Sequence, residues 1–456
     1  MDAIVTPAEM ATIDASAPEP VSELIERAGA AVARAALDLL GGTYGRRVVV
    51  VAGKGNNGAD GRSAARRLEA RGVRCRVIDA ADAPAVLPPA DLVIDAAYGT
   101  GFCGSYEAPQ PAASGTPVLA VDIPSGVDGT TGVVSGSALA ATETITFAAL
   151  KPGLLLADGA ELAGRVRVAD IGLDVGGARA RLVDDDAVAR WLPSRAADAH
   201  KWRAAVRLVA GSPGMTGAAH LSSAAALRAG AGYVRLSTPG SAHDEGAPTE
   251  VVVTALSIDG WADEVLEDLD RFQALAVGPG LGRSADVLRQ VRSLVTGASL
   301  PTVVDGDGIH AFAPGPEGAP VARSTTGTLV LTPHDGEAEA LVGQQPGPDR
   351  FEAVRALAAS SGAVVLLKGP TTLVADPEGE VLAVTSGDAR LATAGTGDVL
   401  TGVVVALLAA GMPGWQAAAA AAHLHGRAGA LAWPRGLVAS DLLATLPAAL
   451  NRLPGG

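Results

Sequence analysis

Short runs of aliphatic and β-branched residues alternate along the chain with longer alanine-rich stretches. Arg47–Ala52 (RVVVVA) is apolar at every position after the first, which predicts a strand buried on both faces, and residues 60–71 then predict a helix. The same rhythm predicts strands over residues 73–79, 91–95, 118–122, 145–148 and 166–170. It breaks over residues 184–200, where Asp184, Asp185 and Asp186 precede Pro193, Ser194 and Arg195. A second series of strands is expected over 206–210, Tyr233–Ser237, 251–255, Ala274–Val277, 302–305, 328–332, 363–368 and Thr372–Ala375. Continuous apolar strands separated by helices imply a mostly parallel sheet covered on both faces. The expected architecture is therefore α/β, with one domain over residues 1–195 and another over 196–456. No internal repeat relates the halves.

Composition narrows the function. A chain of 456 residues with 48% hydrophobic content can build two cores. Lys and Arg number 35 against 49 Asp and Glu, and the net charge of −14 argues against a general nucleic-acid binder. Backbone amides can still hold a phosphate inside an acidic protein. Cys75 and Cys103 are the two cysteines, which excludes a disulfide scaffold and a cysteine-based zinc site and fits a reducing cytosol. The first ten residues carry neither a basic nor a long apolar region, and the apolar run at 399–410 is too short to span a bilayer. A soluble cytoplasmic protein with no membrane partner is expected.

Residues 53–61 read GKGNNGADG between the first strand and its helix. Gly53, Gly55 and Gly58 satisfy G-x-G-x-x-G, and Asp79 lies 21 residues beyond Gly58, where a ribose-binding acid would stand. A plain glycine turn satisfies the same spacing. Two further strands end in polar groups: Asp95, followed by Tyr98-Gly-Thr-Gly101, and Asp122-Ile-Pro-Ser-Gly126. Ligands of open α/β sheets bind outside the carboxyl ends of the strands, so three such edges describe one pocket. Its carboxylate, amide and hydroxyl oxygens suit a hard monovalent cation, or one carboxylate can shuttle a proton. A strand-ending Asp also commonly caps a helix.

GKGNNGADG, Asp95 with Gly99-Thr-Gly101, Asp122-Ile-Pro-Ser-Gly126, Lys151-Pro-Gly153 and the LIERAG stretch at 24–29 together resemble the NAD(P)H-hydrate epimerase domain, over residues 1–175. The resemblance implies a Rossmann-like three-layer domain that interconverts the R and S epimers of hydrated NADH and NADPH and carries potassium. It implies Asn57, Asp95 and Ser125 as K+ ligands. It places the hydrate against Asn56, Asn57, Gly58, Ala59 and Asp60, against Gly99, Thr100, Gly101, Phe102, Cys103, Gly104 and Ser105, and against Asp122. Asp122 is the acid/base candidate, because epimerising a carbon that bears oxygen beside nitrogen requires proton transfer as a bond opens and closes. Ala59 departs from the family's usual glycine, which matters if that backbone needs a positive φ, and Ile25 from its usual methionine.

In the second half, residues 394–400 read AGTGDVL before an apolar helix. Gly395, Thr396 and Gly397 can turn amides toward an anion at the helix's positive end, and Asp398 beside them can accept a hydroxyl proton as a phosphoryl group arrives. An ordinary glycine loop capped by Asp398 fits equally. No G-x-x-x-x-G-K-[ST] occurs, so a P-loop kinase is excluded. Lys368-Gly-Pro-Thr-Thr372 offers a cation and hydroxyls, while Gly278-Pro-Gly-Leu-Gly282, Thr332-Pro-His-Asp-Gly-Glu337 and the GSPGMTGA loop at 211–218 also follow strands. His334 is either a ligand contact or a polar loop residue. Asp305 and Asp307 read as strand-end and turn groups rather than metal ligands.

This set resembles the ribokinase-like superfamily, in particular its NAD(P)H-hydrate dehydratase branch, from about Leu192 onward. The resemblance implies nucleotide-driven dehydration of the S hydrate. Ala218, Gly280, His334 and Asp398 would contact the hydrate; Lys368, Gly369, Pro370, Thr371, Thr372 and Gly397 would contact the nucleotide, with Mg2+ on its phosphates. Asp398 is the expected base. Trp202 departs from the family's usual glycine. The combined expectation is a fused pair of repair enzymes: an epimerase feeding a dehydratase that uses ADP and yields AMP and phosphate, assembled as a homo-oligomer. ADP against ATP stays open, as does preference between the hydrates. A ribokinase-like vitamin-precursor kinase with a dinucleotide-binding N-domain is the alternative, and a non-enzymatic binding module the third reading.

Overall fold

The computed structural model describes residues 1–194, 198–314 and 327–455. The chain divides into two compact units, Asp2–Arg181 and the residues from Leu182 onward. The expected boundary at residue 195 lies outside the described residues. The division falls earlier because the chain after Arg181 already belongs to the second core. Val183 donates its N–H to the Ala383 carbonyl at 2.9 Å. Val183 and Val188 are buried in that core, and Asp184 caps the helix Asp185–Trp191 through the Ala187 N–H.

The first unit is built on six parallel strands: β1 (Arg47–Ala52), β2 (Arg74–Asp79), β3 (Leu92–Ala96), β4 (Val118–Val121), β5 (Glu143–Phe147) and β6 (Arg165–Ala169). Their spatial order is β2-β1-β3-β4-β5-β6. Helices α1 (Val21–Leu40) and α2 (Asn56–Glu69) cover one face, burying Val32, Ala36, Ala64 and Leu68 with Val48, Val50 and Ile94. A Cβ on Gly29 of α1 would lie 2.4 Å from Ser63 of α2, so a glycine permits that close crossing. The opposite face is covered not by helices but by connecting segments, whose Leu87, Tyr106, Ala108 and Leu139 pack on Val49, Val51 and Val93.

The second unit contributes β7 (Ala205–Val209), β8 (Tyr233–Ser237), β9 (Val252–Val253), β10 (Ala274–Val277), β11 (Thr302–Val304), β12 (Leu329–Leu331), β13 (Val364–Leu367), β14 (Thr372–Ala375) and β15 (Val381–Val384). Their order is β15-β14-β13-β12-β11-β10-β7-β8-β9. The hairpins β13–β14–β15 are antiparallel and the other pairings parallel. Strand β15 lies beyond the series expected from sequence. Helices α3 (Gly217–Arg228), α4 (Asp335–Val342), α5 (Thr396–Ala409) and α6 (Gly414–Leu431) flank the sheet. Helix α5 is buried all round, as its apolar sequence requires. A Cβ on its Gly402 would come within 2.2 Å of the Ser222 carbonyl, so α5 and α3 touch backbone to backbone there. Among the described residues, no helix is long and apolar enough to cross a membrane. Trp202 precedes β7 and stacks with Tyr233 at 4.5 Å, on the sheet edge opposite the glycine loops.

Candidate active sites

In the first unit, strand order reverses between β1 and β3, the point where a doubly wound sheet opens a ligand crevice. A cavity of about 640 Å³ lies there. A Cβ on Gly58 would sit 1.9 Å from the Gly53 carbonyl oxygen, and one on Gly53 1.9 Å from that of Ala97. Glycine is therefore required at both positions for the turn that starts α2 at Asn56, four residues before the expected start.

Asp122 follows β4 with a φ of +69°, a left-handed conformation rare outside glycine and stored typically at functional sites. Its surroundings hold it there. Thr100 donates to Oδ2 from its N–H at 3.0 Å and from its hydroxyl at 2.5 Å, Thr146 donates to Oδ1 at 3.2 Å, and the Lys151 ammonium lies 2.7 Å from Oδ1. The Lys151 side chain is only 1% exposed and also donates to the Thr146 hydroxyl and the Phe147 carbonyl. Burial pushes the Asp122 carboxyl up, but Lys151 and Thr100 together outweigh it and hold the group below the usual carboxylate range. Asp60, on the α2 wall, behaves oppositely. Burial, then the neighbouring charges of Asp122 and Asp14, push it up to about 8.

Asp95 and Ser125 are buried at the ends of β3 and just beyond β4. The Ser125 N–H donates to Asp95 Oδ2 at 2.9 Å. Both polar atoms of the Asn57 side chain are buried without a hydrogen-bond partner among the described residues. Orphaned amide atoms of this kind call for an occupant.

In the second unit the order reverses between β7 and β10. The Gly211 N–H donates to the Pro279 carbonyl at 2.7 Å, which ties the loops after those strands. Gly280, with φ +65°, approaches Ala218. Asp305, 2% exposed, accepts from the Thr332 hydroxyl at 2.7 Å, the Lys368 ammonium at 2.6 Å and the Thr401 hydroxyl at 2.6 Å. Burial opposes its ionisation, but Lys368 and the two hydroxyls hold its carboxyl low. Gly395 begins α5 in a left-handed conformation, and Asp398 stands in the first turn. Burial, then the charge of Asp305, push Asp398 up to about 7 against the opposing pull of Lys368. Each unit thus carries an Asp–Lys pair whose carboxyl is held low and, beside it, a carboxyl that burial and neighbouring charge push up.

The family description NAD(P)H-hydrate dehydratase matches residues 206–449. The YjeF-related protein N-terminus matches residues 21–88 and 78–153. The bifunctional NAD(P)H-hydrate repair enzyme of Moorella thermoacetica is 36% identical, over 99% of this chain and 97% of that protein. That of Mycobacterium tuberculosis H37Rv is 38% identical over 83% of this chain and 82% of its own. The chain belongs to the bifunctional NAD(P)H-hydrate repair enzyme family. Among solved structures, the ADP/ATP-dependent NAD(P)H-hydrate dehydratase of Bacillus subtilis, co-crystallised with ATP/Mg2+, is similar with a TM-score of 0.52 and 28% identity, covering 59% of this chain and 97% of that one. This member of the repair family is accordingly an enzyme with an epimerase and a dehydratase domain, and the vitamin-precursor kinase alternative gives way.

Within this repair enzyme, the first cavity gathers Asn56, Asn57, Asp60, Gly99, Thr100, Gly101, Phe102 and Asp122. Gly58 is buried in the turn beneath it, and Ala59 lies in the first turn of α2, outside the positive-φ residues. Cys103, Gly104 and Ser105 are exposed on the loop beyond Phe102 and are not part of the cavity wall. Ile25 does line it. In the second site, Lys368 and Gly397 meet, the ammonium lying 3.4 Å from where a Gly397 Cβ would stand. The turn at Gly369, Pro370, Thr371 and Thr372 follows β13, braced by Arg350, which donates to the Lys368 carbonyl at 3.0 Å and pairs with Asp335. His334 is the N-cap of α4, its Nδ1 accepting from the Gly336 and Glu337 N–H groups, with its ring largely exposed. Sequence reasoning left Lys151, Asp14, Arg350 and the hub role of Asp305 unassigned. Lys151 had a signal: a lone lysine in Lys151-Pro-Gly153, just after an apolar strand. Asp14, in the helix Pro7–Ser16, had none.

Proposed function

We propose that the first unit epimerises hydrated NADH and NADPH and that the second dehydrates the S hydrate with ADP, giving AMP and phosphate. The observation that carries this reading is the buried Asp–Lys pair at each carboxyl edge, 2.7 Å apart at Asp122 and Lys151 and 2.6 Å apart at Asp305 and Lys368, with a second carboxyl, Asp60 or Asp398, beside it. In the first cavity the hydrate lies over the Asn56–Asp60 and Gly99–Phe102 segments. Asp122, ionised beside Lys151, accepts the hydroxyl proton as the bond from the hydroxyl-bearing carbon to the ring nitrogen opens. Asp60, still protonated, donates to that nitrogen, and both transfers reverse when the ring closes on the other face.

The buried Asn57 amide oxygen, the Asp95 carboxylate and the Ser125 hydroxyl form a hard-oxygen donor set that fits K+. Potassium bound there would supply positive charge beneath the cavity floor. Asn57 would anchor it and keep the glycine loop closed over the hydrate.

In the second site, Ala218, Gly280 and His334 flank the hydrate. The α5 amide end at Gly397, with Lys368 and the turn through Thr372, receives the phosphates of the magnesium–nucleotide complex. Asp398 accepts the proton of the hydrate hydroxyl as that oxygen takes the phosphoryl group. The C–O bond then breaks as the ring-nitrogen lone pair pushes in, orthophosphate leaves, and the adjacent ring carbon gives up a proton to the departing phosphate or to water, which restores the dihydronicotinamide. A cytoplasmic homo-oligomer acting on small molecules completes the reading.

The test supplies both hydrate epimers with Mg2+ and ADP or ATP and follows recovery of the reduced-nicotinamide absorbance. Full consumption with phosphate release is expected, fastest with ADP. Accumulation of a stable phosphorylated product, or a halt at half conversion, overturns the corresponding half.

A further inference from the structure

We propose that Asp305 is a positioning residue of the dehydratase site, fixing the Lys368 ammonium against the first turn of α5, the turn that carries Asp398. The inference rests on the reading of Asp398 as the base. Asp305 joins three elements through one buried carboxylate. Oδ1 takes the Thr332 hydroxyl beyond β12 and the Lys368 ammonium beyond β13, and Oδ2 takes the Thr401 hydroxyl of α5. Its backbone is equally fixed, since a Cβ on Gly278 would lie 2.0 Å from the Asp305 carbonyl oxygen. Among the described residues, the ion pairs of Lys368 are with Asp305 at 2.6 Å and Glu337 at 3.9 Å.

A lysine ammonium is a point charge on a flexible stem, and without a buried partner it swings to the nearest carboxylate. Here the nearest remaining carboxylate is Glu337 at 3.9 Å, with the charge of Asp398 acting from farther off. Without touching substrate, Asp305 therefore keeps Lys368 aimed at the nucleotide end of α5, 3.4 Å from where a Gly397 Cβ would stand, rather than drawn to Glu337. Asp398 senses this arrangement through its charged neighbours. Asp305, Asp307 and Glu337 oppose its ionisation and Lys368 favours it. His425 of α6, against the Thr396 backbone, adds no charge near neutrality, because burial holds it down to about 4.

The experiment records the dehydratase pH profile of kcat/KM for the full chain with S hydrate and ADP. Asp398→Asn should lose at least about 100-fold. Asp305→Asn should lower kcat about tenfold and move the acid limb to lower pH by about one unit, because the Asp305 charge that opposes Asp398 ionisation is gone while the pull of Lys368 remains. A reduced rate with the limb unmoved overturns the proposal and leaves Asp398 as base untouched. Full activity in Asp398→Asn overturns the base reading itself. Lys368→Gln asks the same question with the sign reversed, and serves if Asp305→Asn does not fold. Its limb should move to higher pH, and an unmoved limb again overturns the proposal.

Discussion

The two Asp–Lys pairs have nearly the same geometry and opposite assignments. Asp122 and Lys151 stand 2.7 Å apart in the first unit, and Asp305 and Lys368 2.6 Å apart in the second. Asp122 lines an open cavity on a strained backbone, so its charge is offered to a ligand. Asp305 is spent on three internal donors. On the proposed assignment the roles divide on what else each carboxylate touches: in one site the paired group is the proposed chemical group, in the other the group beside the pair is. A buried ion pair is weak evidence for stability but good evidence that the surrounding structure fixes charge where it is wanted.

The sharpest way to break the comparison is to remove the proposed chemical group from one site and assay both. Asp122→Asn should cut epimerisation by at least about 100-fold and leave dehydration of supplied S hydrate within about twofold, while Asp398→Asn should do the reverse. Separate assays of R-to-S equilibration and S-hydrate consumption check this. If Asp122→Asn slows dehydration equally, the units do not carry separate chemistries.

Lys151→Met comes next. It leaves Asp122 buried without its cation, a change that typically costs about 3–5 kcal/mol. Denaturant unfolding should show the first transition moving to lower denaturant while the second stays. A first transition that does not move would mean that Asp122 is satisfied by Thr100 and Thr146 alone.

Much of this was legible from sequence. The strands β1, β8, β10 and β14 fall where the apolar runs begin and end, because their flanks switch abruptly to Gly, Asp or Pro. The glycine loops and the clusters at Asp122 and Asp398 were readable because strand ends in parallel sheets converge at one edge. What was not legible depended on distance along the chain. Thr401 reaches Asp305 across 96 residues, and Arg350 braces Lys368 from a helix that carries no motif. The first unit's second face escaped the pattern as well, since Leu87, Tyr106 and Leu139 are scattered through segments without periodicity. Ordinary spacing could not say that Asp60 holds a proton, because burial and the charges of Asp122 and Asp14 exist only once the fold is made.

A pH series sharpens the contrast further. Asp60 must be protonated to donate, and its carboxyl is raised from the ordinary 3.8 to about 8, so epimerisation should fall above about pH 8. Asp398 must be ionised to accept, and it is raised to about 7, so dehydration should fall below about pH 7. The native state binds the extra proton in both cases, so each group also lowers stability as pH rises from its unfolded value toward its folded one. The two activities of one chain should therefore have limbs of opposite direction. Limbs in the same direction would remove Asp60 from the epimerase reading.

The smallest effect is expected at Ala59. The resemblance leads one to expect glycine there, which would matter if the backbone turned left-handed. In this chain Ala59 closes the first turn of α2, its N–H donating to the Gly55 carbonyl at 3.1 Å. Among the described residues, the left-handed non-glycine positions are instead Asp122, Ala148 and Ala157. Ala59→Gly should therefore lower the unfolding free energy by no more than about 1 kcal/mol, the usual helix penalty of glycine, with epimerase kcat/KM within about twofold. Gly58→Ala, one residue earlier, should be far more damaging, because its Cβ would meet the Gly53 carbonyl oxygen at 1.9 Å. If the two substitutions have similar effects, the tight turn is not what holds the first site together, and the comparison between the units loses its geometric basis.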